Sequence, residues 1–430
     1  LCVNKRKGMY KESIDFAKEA DREDALSELR NNFWFPELNG KEARYFTGNS
    51  LGLQPKTVEK YLQEELEDWR KWGVEGHFHS RRPWFAYHEF FSESLSRIVG
   101  CEPTECVAMG SLTANLHLLL VSFYRPTKQR FKIICEQKPF PSDTYAFHSQ
   151  ARFHGFDPAA AVIELKPREG EYLLHTEDIL RTIEEHKDEL ALVCLGGVNF
   201  FTGQLFDMEA ITRAAHAAGA FAGFDLAHAA GNVELKLHDW DVDFACWCSY
   251  KYLNSGPGGV AGIYVHERFS RQTDIPRFEG WWGYEPETRF RMEGAFVPME
   301  GAGAWQLSNA PVFTMACHRA SLDVFDRTDM AALRAKSVRL TAYLEFLLKK
   351  IIEEKGAQSM RIITPEDPAQ RGCQLSLIFP SRGKEVFAAV TEAGIVADWR
   401  EPDVMRVAPV PLYNRFEDVF VFAEVLKNNL

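Results

Sequence analysis

Five brief apolar runs, each closed by a glycine or a polar residue, constrain this chain most: ECVAMG (105–110), FKIICE (131–136), LALVCLGG (190–197), AFAGFD (220–225) and DFACWCS (243–249). A strand with one wet face alternates apolar and polar residues. These runs do not, so they suit strands buried on both faces. Helical stretches lie between them, among them SLTANLHLLLVSFY (111–124) and MEAITRAAHAAG (208–219), the second with a glycine near its C-terminus. Strand and helix in alternation predict an α/β fold with a mostly parallel central sheet flanked by helices.

The texture changes after about residue 325. A long helical stretch, MAALRAKSVRLTAYLEFLLKKIIEE, leads into CQLSLIF, KEVFAAVTEAG, VADWR, VMRVAP and EDVFVFAEVLKNN. That order predicts a smaller strand–helix–strand–strand–helix unit. Residues 10–34 are charged with helical period, and the turn-rich FTGNSLGLQP follows them. The expected division is an N-terminal segment over 1–55 associated with the small domain, a large domain over 56–325, and a small C-terminal α/β domain over 326–430.

Composition removes several function classes. Fifty basic against 61 acidic residues give a net charge of −11, and no basic run is present. Neither nucleic acid nor an anionic membrane is the expected partner. No stretch of eighteen uncharged apolar residues occurs, so no membrane span is expected. The nine cysteines (2, 101, 106, 135, 194, 246, 248, 317 and 373) are odd in number and form no CxxC pair. They read as neither a disulfide framework nor a zinc site, and they suit a reducing, cytoplasmic setting. Cys246 and Cys248 read as packed core thiols. The chain begins at Leu1 rather than Met, which leaves a removed targeting segment open.

In an open parallel sheet, ligands bind beyond the carboxyl ends of the strands. After ECVAMG come Ser111, Leu112 and Thr113 at the start of a helix, where free N–H groups suit a phosphate or simply take a capping side chain. After FKIICE comes Phe140-Pro-Ser142-Asp143, an aromatic and an acid that suit a flat heterocycle or a plain turn. Asp225 ends AFAGFD, with His228 three residues on. A carboxylate there pairs with a protonated ring nitrogen or caps the next turn; holding a pyridine protonated makes it an electron sink. Tyr250 and Lys251 follow DFACWCS directly. A lysine immediately after a buried strand is unusual, and burial favours the neutral amine that a Schiff base needs.

GFDLAHAAGNVEL and DFACWCSYKYLNSGPGGVAG resemble the cofactor region of fold-type I pyridoxal-phosphate (PLP) enzymes, and more narrowly that of the kynureninase family. FTGNSLGLQP, RRPW, FPSDTYA, FFTGQ, WWGYE, LSNAP, RGCQLS and RVAPVPLYN extend the resemblance in order, from about residue 45 to residue 414. It implies the aspartate-aminotransferase-like fold, with Lys251 holding PLP covalently and Asp225 pairing with its ring nitrogen. His228 then lies beside the cofactor, Phe140 stacks on the ring, and Ser142 and Asp143 lie near. Leu112, Thr113 and Tyr250 contact the phosphate, with a proton relay as the other role of Tyr250. Trp281 and Asn309 reach the site from a second subunit, so a homodimer is implied. Arg406 grips the substrate's α-carboxylate, and Ser50 and His77 fall in the substrate pocket. The implied reaction is hydrolysis of L-kynurenine or 3-hydroxy-L-kynurenine to L-alanine and an anthranilate, in tryptophan catabolism and NAD biosynthesis. His77 and Asn309 resemble the polar pair of members that prefer the 3-hydroxy substrate. The chain departs from its nearest family members at Gly196, where they carry a serine.

The rivals are weaker. A cysteine desulfurase or class V aminotransferase shares the Asp…His…Lys layout, but usually carries His, not Tyr, before the lysine. A desulfurase also needs a cysteine on a mobile loop, whereas Cys317 and Cys373 fall in helical and strand runs. A binding protein without chemistry has no need of Lys251, Asp225 and Arg406 together. No GxGxxG follows a strand, which argues against a dinucleotide dehydrogenase.

Overall fold

The computed structural model describes residues 10–270, 272–292 and 294–430; Leu1 and Cys2 lie outside these. The five apolar runs become β1 (Cys106–Ala108), β2 (Lys132–Glu136), β4 (Leu190–Gly196), β5 (Phe221–Asp225) and β6 (Phe244–Cys248), joined by β3 (Val162–Leu165) and β7 (Ala261–Val265). Their order in the sheet is β1-β7-β6-β5-β4-β2-β3. Every strand runs the same way except β7, which is antiparallel to both of its neighbours. All five residues of β6 are buried. Ala245 and Trp247 enter one apolar cluster while Phe244 and Cys246 enter another, so the two faces of the sheet are both covered. Burial on both faces is the reason these strands read as unbroken apolar runs.

This order sets four carboxyl ends side by side, those of β2, β4, β5 and β6. They deliver Glu136, Gly196, Asp225 and the Tyr250-Lys251 turn to one edge of the sheet. Two helices start at the same edge: Leu112–Phe123 after β1, with Ser111 as its cap residue, and Pro141–Phe153 after β2, with Pro141 in its first turn.

A second sheet follows the helix Met330–Lys355. Its strands are β8 (Arg361–Ile362), β9 (Leu375–Ile378), β10 (Asp398–Arg400) and β11 (Val404–Val407), in the order β8-β9-β11-β10 and antiparallel throughout. The helices Gly383–Glu392 and Phe416–Asn429 bury their apolar faces with it in a separate cluster. Ala17 and Ala20 of the helix Ile14–Arg22 belong to that same cluster. The Asp21 carboxylate caps the last helix, accepting from the Phe416 and Glu417 N–H groups at 2.7 and 3.0 Å. Arg44–Tyr45 adds a parallel pairing to Ile395–Val396. The chain then returns to the large sheet at Gly52, whose N–H donates to the Tyr250 carbonyl at 2.8 Å. A Cβ on Gly52 would collide with the Lys251 carbonyl, so only glycine lets these two segments approach.

Candidate active site

The strand ends enclose a cavity of about 180 Å³. Lys251 reaches it from the turn after β6, and its Nζ lies 3.0 Å from His228 Nε2. The same Nζ sits 5.6 Å from the centre of the Phe140 ring, which stands edge-on to Phe200 across the cavity wall. Asp225, at the end of β5, accepts from the Ala227 N–H at 2.7 Å through Oδ1. Ser142, Asp143 and Tyr250 line the same cavity, as do Ser111, Leu112 and Thr113 at the start of their helix. Nine predicted cofactor residues therefore meet in one cavity: Leu112, Thr113, Phe140, Ser142, Asp143, Asp225, His228, Tyr250 and Lys251.

Three buried carboxyls set its electrostatics. Burial pushes the Asp143 carboxyl well above the usual carboxylate range, and the charges on Asp225 and Glu136 push the same way. Burial also raises Asp225, against the pull of the Lys251 charge. Glu136 is pushed up to about 7 by burial, although the Gly196 N–H bond opposes the shift. His228 moves the other way. Burial, then the charges of Lys251, Arg406 and Arg400, hold its imidazole well below the usual range and so neutral.

Arg406 lies behind Phe200. Its buried guanidinium donates to the Phe200 carbonyl at 2.6 Å and to both oxygens of Asp398, at 3.2 and 2.8 Å. Asp398 stands directly across from Arg406 on the neighbouring strand, so the pairing of β10 with β11 builds this contact. Burial opposes ionisation of Asp398, but the bonds and charge of Arg406, then Ser50 and Arg400, hold it below the usual carboxylate range. Ser50 donates to Asp398 Oδ2 at 2.7 Å. It thus meets the site through that carboxylate rather than by lining the cavity.

His77, Trp281 and Asn309 lie outside the cavity of this chain. His77 is bonded only locally, to the Val74 carbonyl at 2.9 Å, and packs on Trp84. Trp281 is 47% exposed beside Phe290, and Asn309 is exposed. Sequence reasoning missed Glu136, Phe200 and Asp398. Glu136 was within reach of the strand-end rule, being the last residue of its run. Asp398 carries no motif of its own and becomes visible only through its strand partner.

Gly196 also gains a reason. Both Glu136 oxygens lie 3.2 Å from its N–H, and a Cβ there would stand 3.0 Å from Glu136 Oε1. Among the described residues, Glu105, His238 and His266 form a cluster with metal-ligating atoms. The Glu105 oxygens already accept from the Glu102 and Glu267 N–H groups, at 2.9 and 2.7 Å. His266 Nδ1 accepts from the Arg268 N–H at 3.2 Å.

The class-V aminotransferase family model matches residues 44–378, and the model of the kynureninase C-terminal domain matches residues 333–426. A kynureninase of Myxococcus xanthus is 56% identical over 98% of this chain and 98% of its own length. One from Christiangramia forsetii is 53% identical over 98% and 99%, and one from Nematostella vectensis 48% identical over 96% and 93%. The chain belongs to the kynureninase family.

Solved structures share the fold at greater distance. A cysteine desulfurase from Escherichia coli superposes with a TM-score of 0.74 at 17% identity, covering 94% of this chain and 98% of its own. One from Thermococcus onnurineus gives 0.72 at 18%, covering 90% and 94%. A C-DES variant, described with glycine covalently linked to its PLP cofactor, gives 0.72 at 16%, covering 89% and 96%. These likenesses carry the fold and not the chemistry. A desulfurase nucleophile must be reactive, whereas Cys373 is fully buried with its thiol pushed up to about 12. Cys246 and Cys248 are buried too, as packed core thiols.

Proposed function

We propose that this chain is a PLP-dependent hydrolase that cleaves L-kynurenine, or its 3-hydroxy form, to L-alanine and the matching anthranilate. One observation carries the reading: Lys251 stands 3.0 Å from His228 beside a strand-end carboxylate, in a chain whose kynureninase relatives match nearly its whole length. The residues present fit PLP. Asp143 Oδ1 and His228 Nδ1 are buried with no hydrogen-bond partner among the described residues. Three buried carboxyls, Glu136, Asp143 and Asp225, share the cavity, and a protonated ring nitrogen would offset charge there. The opening turn of the helix Leu112–Phe123 offers its free N–H groups to a phosphate.

When bound, PLP supplies an electron sink for negative charge at the substrate's Cα. Lys251 Nζ would hold the cofactor covalently and, once freed by the substrate amine, would take the proton from Cα. Asp225 would pair with the ring nitrogen and favour its protonated form. Phe140 covers the ring face, and neutral His228 keeps the lysine amine in place without adding charge. Thr113, the Leu112 N–H and Tyr250 hold the phosphate; Tyr250, its phenol raised by burial, also serves as a proton donor. Arg406 would bind the α-carboxylate; water added to the γ-carbonyl would leave with that carbon as the anthranilate carboxyl, and the electron pair of the broken Cβ–Cγ bond would stay on Cβ, drawn by the bound cofactor, until a proton from the site completes alanine.

The second substrate hydroxyl and the assembly belong to the same reading. Trp281 and Asn309 lie outside their own cavity on exposed surface, which supports a homodimer in which they complete the partner's site; half-buried His77 also lies outside that cavity. A polar pair, His77 and Asn309, favours the 3-hydroxy substrate, because without that hydroxyl the pair is left unpartnered. Separate apolar clusters support a division near residue 325, with Ala17, Ala20 and Phe46 packing with the small domain while Leu29, Phe33 and Leu53 pack with the large one. No helix among the described residues is long and apolar enough to cross a membrane, and their cysteines are all free, which supports a cytoplasmic protein. The test is direct: holoenzyme incubated with each substrate should release alanine and the corresponding anthranilate in equal amounts.

A further inference from the structure

A guanidinium has five N–H donors. Arg406 has three engaged: Nε to Asp398 Oδ1 at 3.2 Å, Nη2 to Asp398 Oδ2 at 2.8 Å, and Nη1 to the Phe200 carbonyl at 2.6 Å. One donor is left on each terminal nitrogen, the pair that a carboxylate takes in a bidentate contact. The anchors are themselves held. The Phe200 carbonyl accepts a second bond from Gln374 Nε2 at 3.1 Å, and Gln374 in turn accepts from Asn49 at 2.8 Å. Asp398 takes the Ser50 hydroxyl at 2.7 Å and the Arg400 Nη2 at 3.2 Å. Two arginines share this one carboxylate, so the cluster keeps a net positive charge.

We propose that Asp398 is a positioning residue for substrate binding: it locks the side edge of Arg406 so that the two remaining donors face the substrate's α-carboxylate. Ser50 acts through Asp398 in the same way, as a brace. Asp398 touches neither cofactor nor substrate. Its effect is confined to ligands that carry the carboxylate, because the lysine, the ring-binding acids and the phosphate cradle sit on the other sheet. The inference rests on the proposed kynurenine hydrolysis and deepens it at one subsite.

The test compares wild-type, Asp398→Asn and Asp398→Glu holoenzymes. KM and kcat are measured with L-kynurenine, and the inhibition constant with its decarboxylated analogue, which keeps the amine and the aryl ketone. An Asn offers one acceptor oxygen in place of two and turns an N–H donor toward a guanidinium. The expected result for Asp398→Asn is a KM raised about tenfold or more, the scale of a lost charge-assisted bond. Meanwhile kcat stays within about threefold, and the analogue's inhibition constant and the visible cofactor band do not move. Asp398→Glu, which restores the charge on a longer arm, recovers part of the KM. An unchanged KM overturns the inference, and so does equal weakening of substrate and analogue, which marks a merely structural role. If Asp398→Asn yields no folded holoenzyme, Asp398→Glu decides by the same comparison. Wild-type enzyme without product would instead sink the proposed function, so the two failures are told apart.

Discussion

Replacing Glu136 by glutamine should make the apoprotein less sensitive to alkaline pH. Glu136 is buried at the end of β2, and burial raises its carboxyl from the usual 4.5 to about 7. The folded state therefore binds this proton more tightly than the unfolded chain does. Its contribution to stability is intact below about pH 4.5 and is lost as pH rises through about 7. A shift of that size corresponds to roughly 3 kcal/mol. A neutral amide carries no such penalty, so Glu136→Gln should match wild type near pH 5 and exceed it by up to about 3 kcal/mol near pH 8. The fixed costs of the amide, such as its unpartnered N–H₂, cancel between the two pH values. Urea unfolding of both apoproteins at pH 5 and pH 8, followed by circular dichroism, gives the four midpoints needed. Parallel pH profiles for the two proteins would refute the reasoning. They would mean that Glu136 is already ionised in the folded cavity at little cost.

Other expectations follow from the same geometry. Gly196→Ser should fold with a stability loss of no more than about 1 kcal/mol, because the crowded atom is the end of the Glu136 side chain, which gives way more readily than backbone; thermal unfolding checks it. Phe140→Ala should weaken PLP binding about tenfold by removing one aromatic face, measured by titrating apoprotein with cofactor and following fluorescence. A thiol reagent applied to native protein should spare Cys194, Cys246 and Cys373, whose thiols burial pushes up, and should label the half-buried Cys317 sooner, as peptide mapping of the labelled protein would record.

The parts of the fold legible from sequence are those where burial is total. The runs that became β2, β4, β5 and β6 are continuous and apolar because both of their faces are covered, and their last residues pointed to the cavity. β3 escaped because it is an edge strand, half-exposed and carrying Glu164 in its middle. β7 is buried throughout and as long as β5 and β6, but it escaped because AGIYV follows directly on the glycine-rich turn SGPGGV, which masks where the strand begins. Asp225 was readable as the last residue of its strand, and His228 and Lys251 because each sits three residues beyond a strand end. Asp398 was not, since its meaning comes from the antiparallel partner eight residues on, and no local pattern marks a cross-strand ion pair. The contact of Ser50 with Asp398 is likewise a product of tertiary packing alone.

Lys251 is the residue on which cofactor binding and cleavage both depend, and the most direct measurement is made on Lys251→Ala beside wild type, each supplied with PLP and L-kynurenine. Wild type should show the visible band of a lysine-linked cofactor and release alanine and anthranilate in equal amounts. Lys251→Ala should lose that band and release neither product. A band that persists without Lys251, or a fully loaded wild type that releases no alanine, would contradict the account.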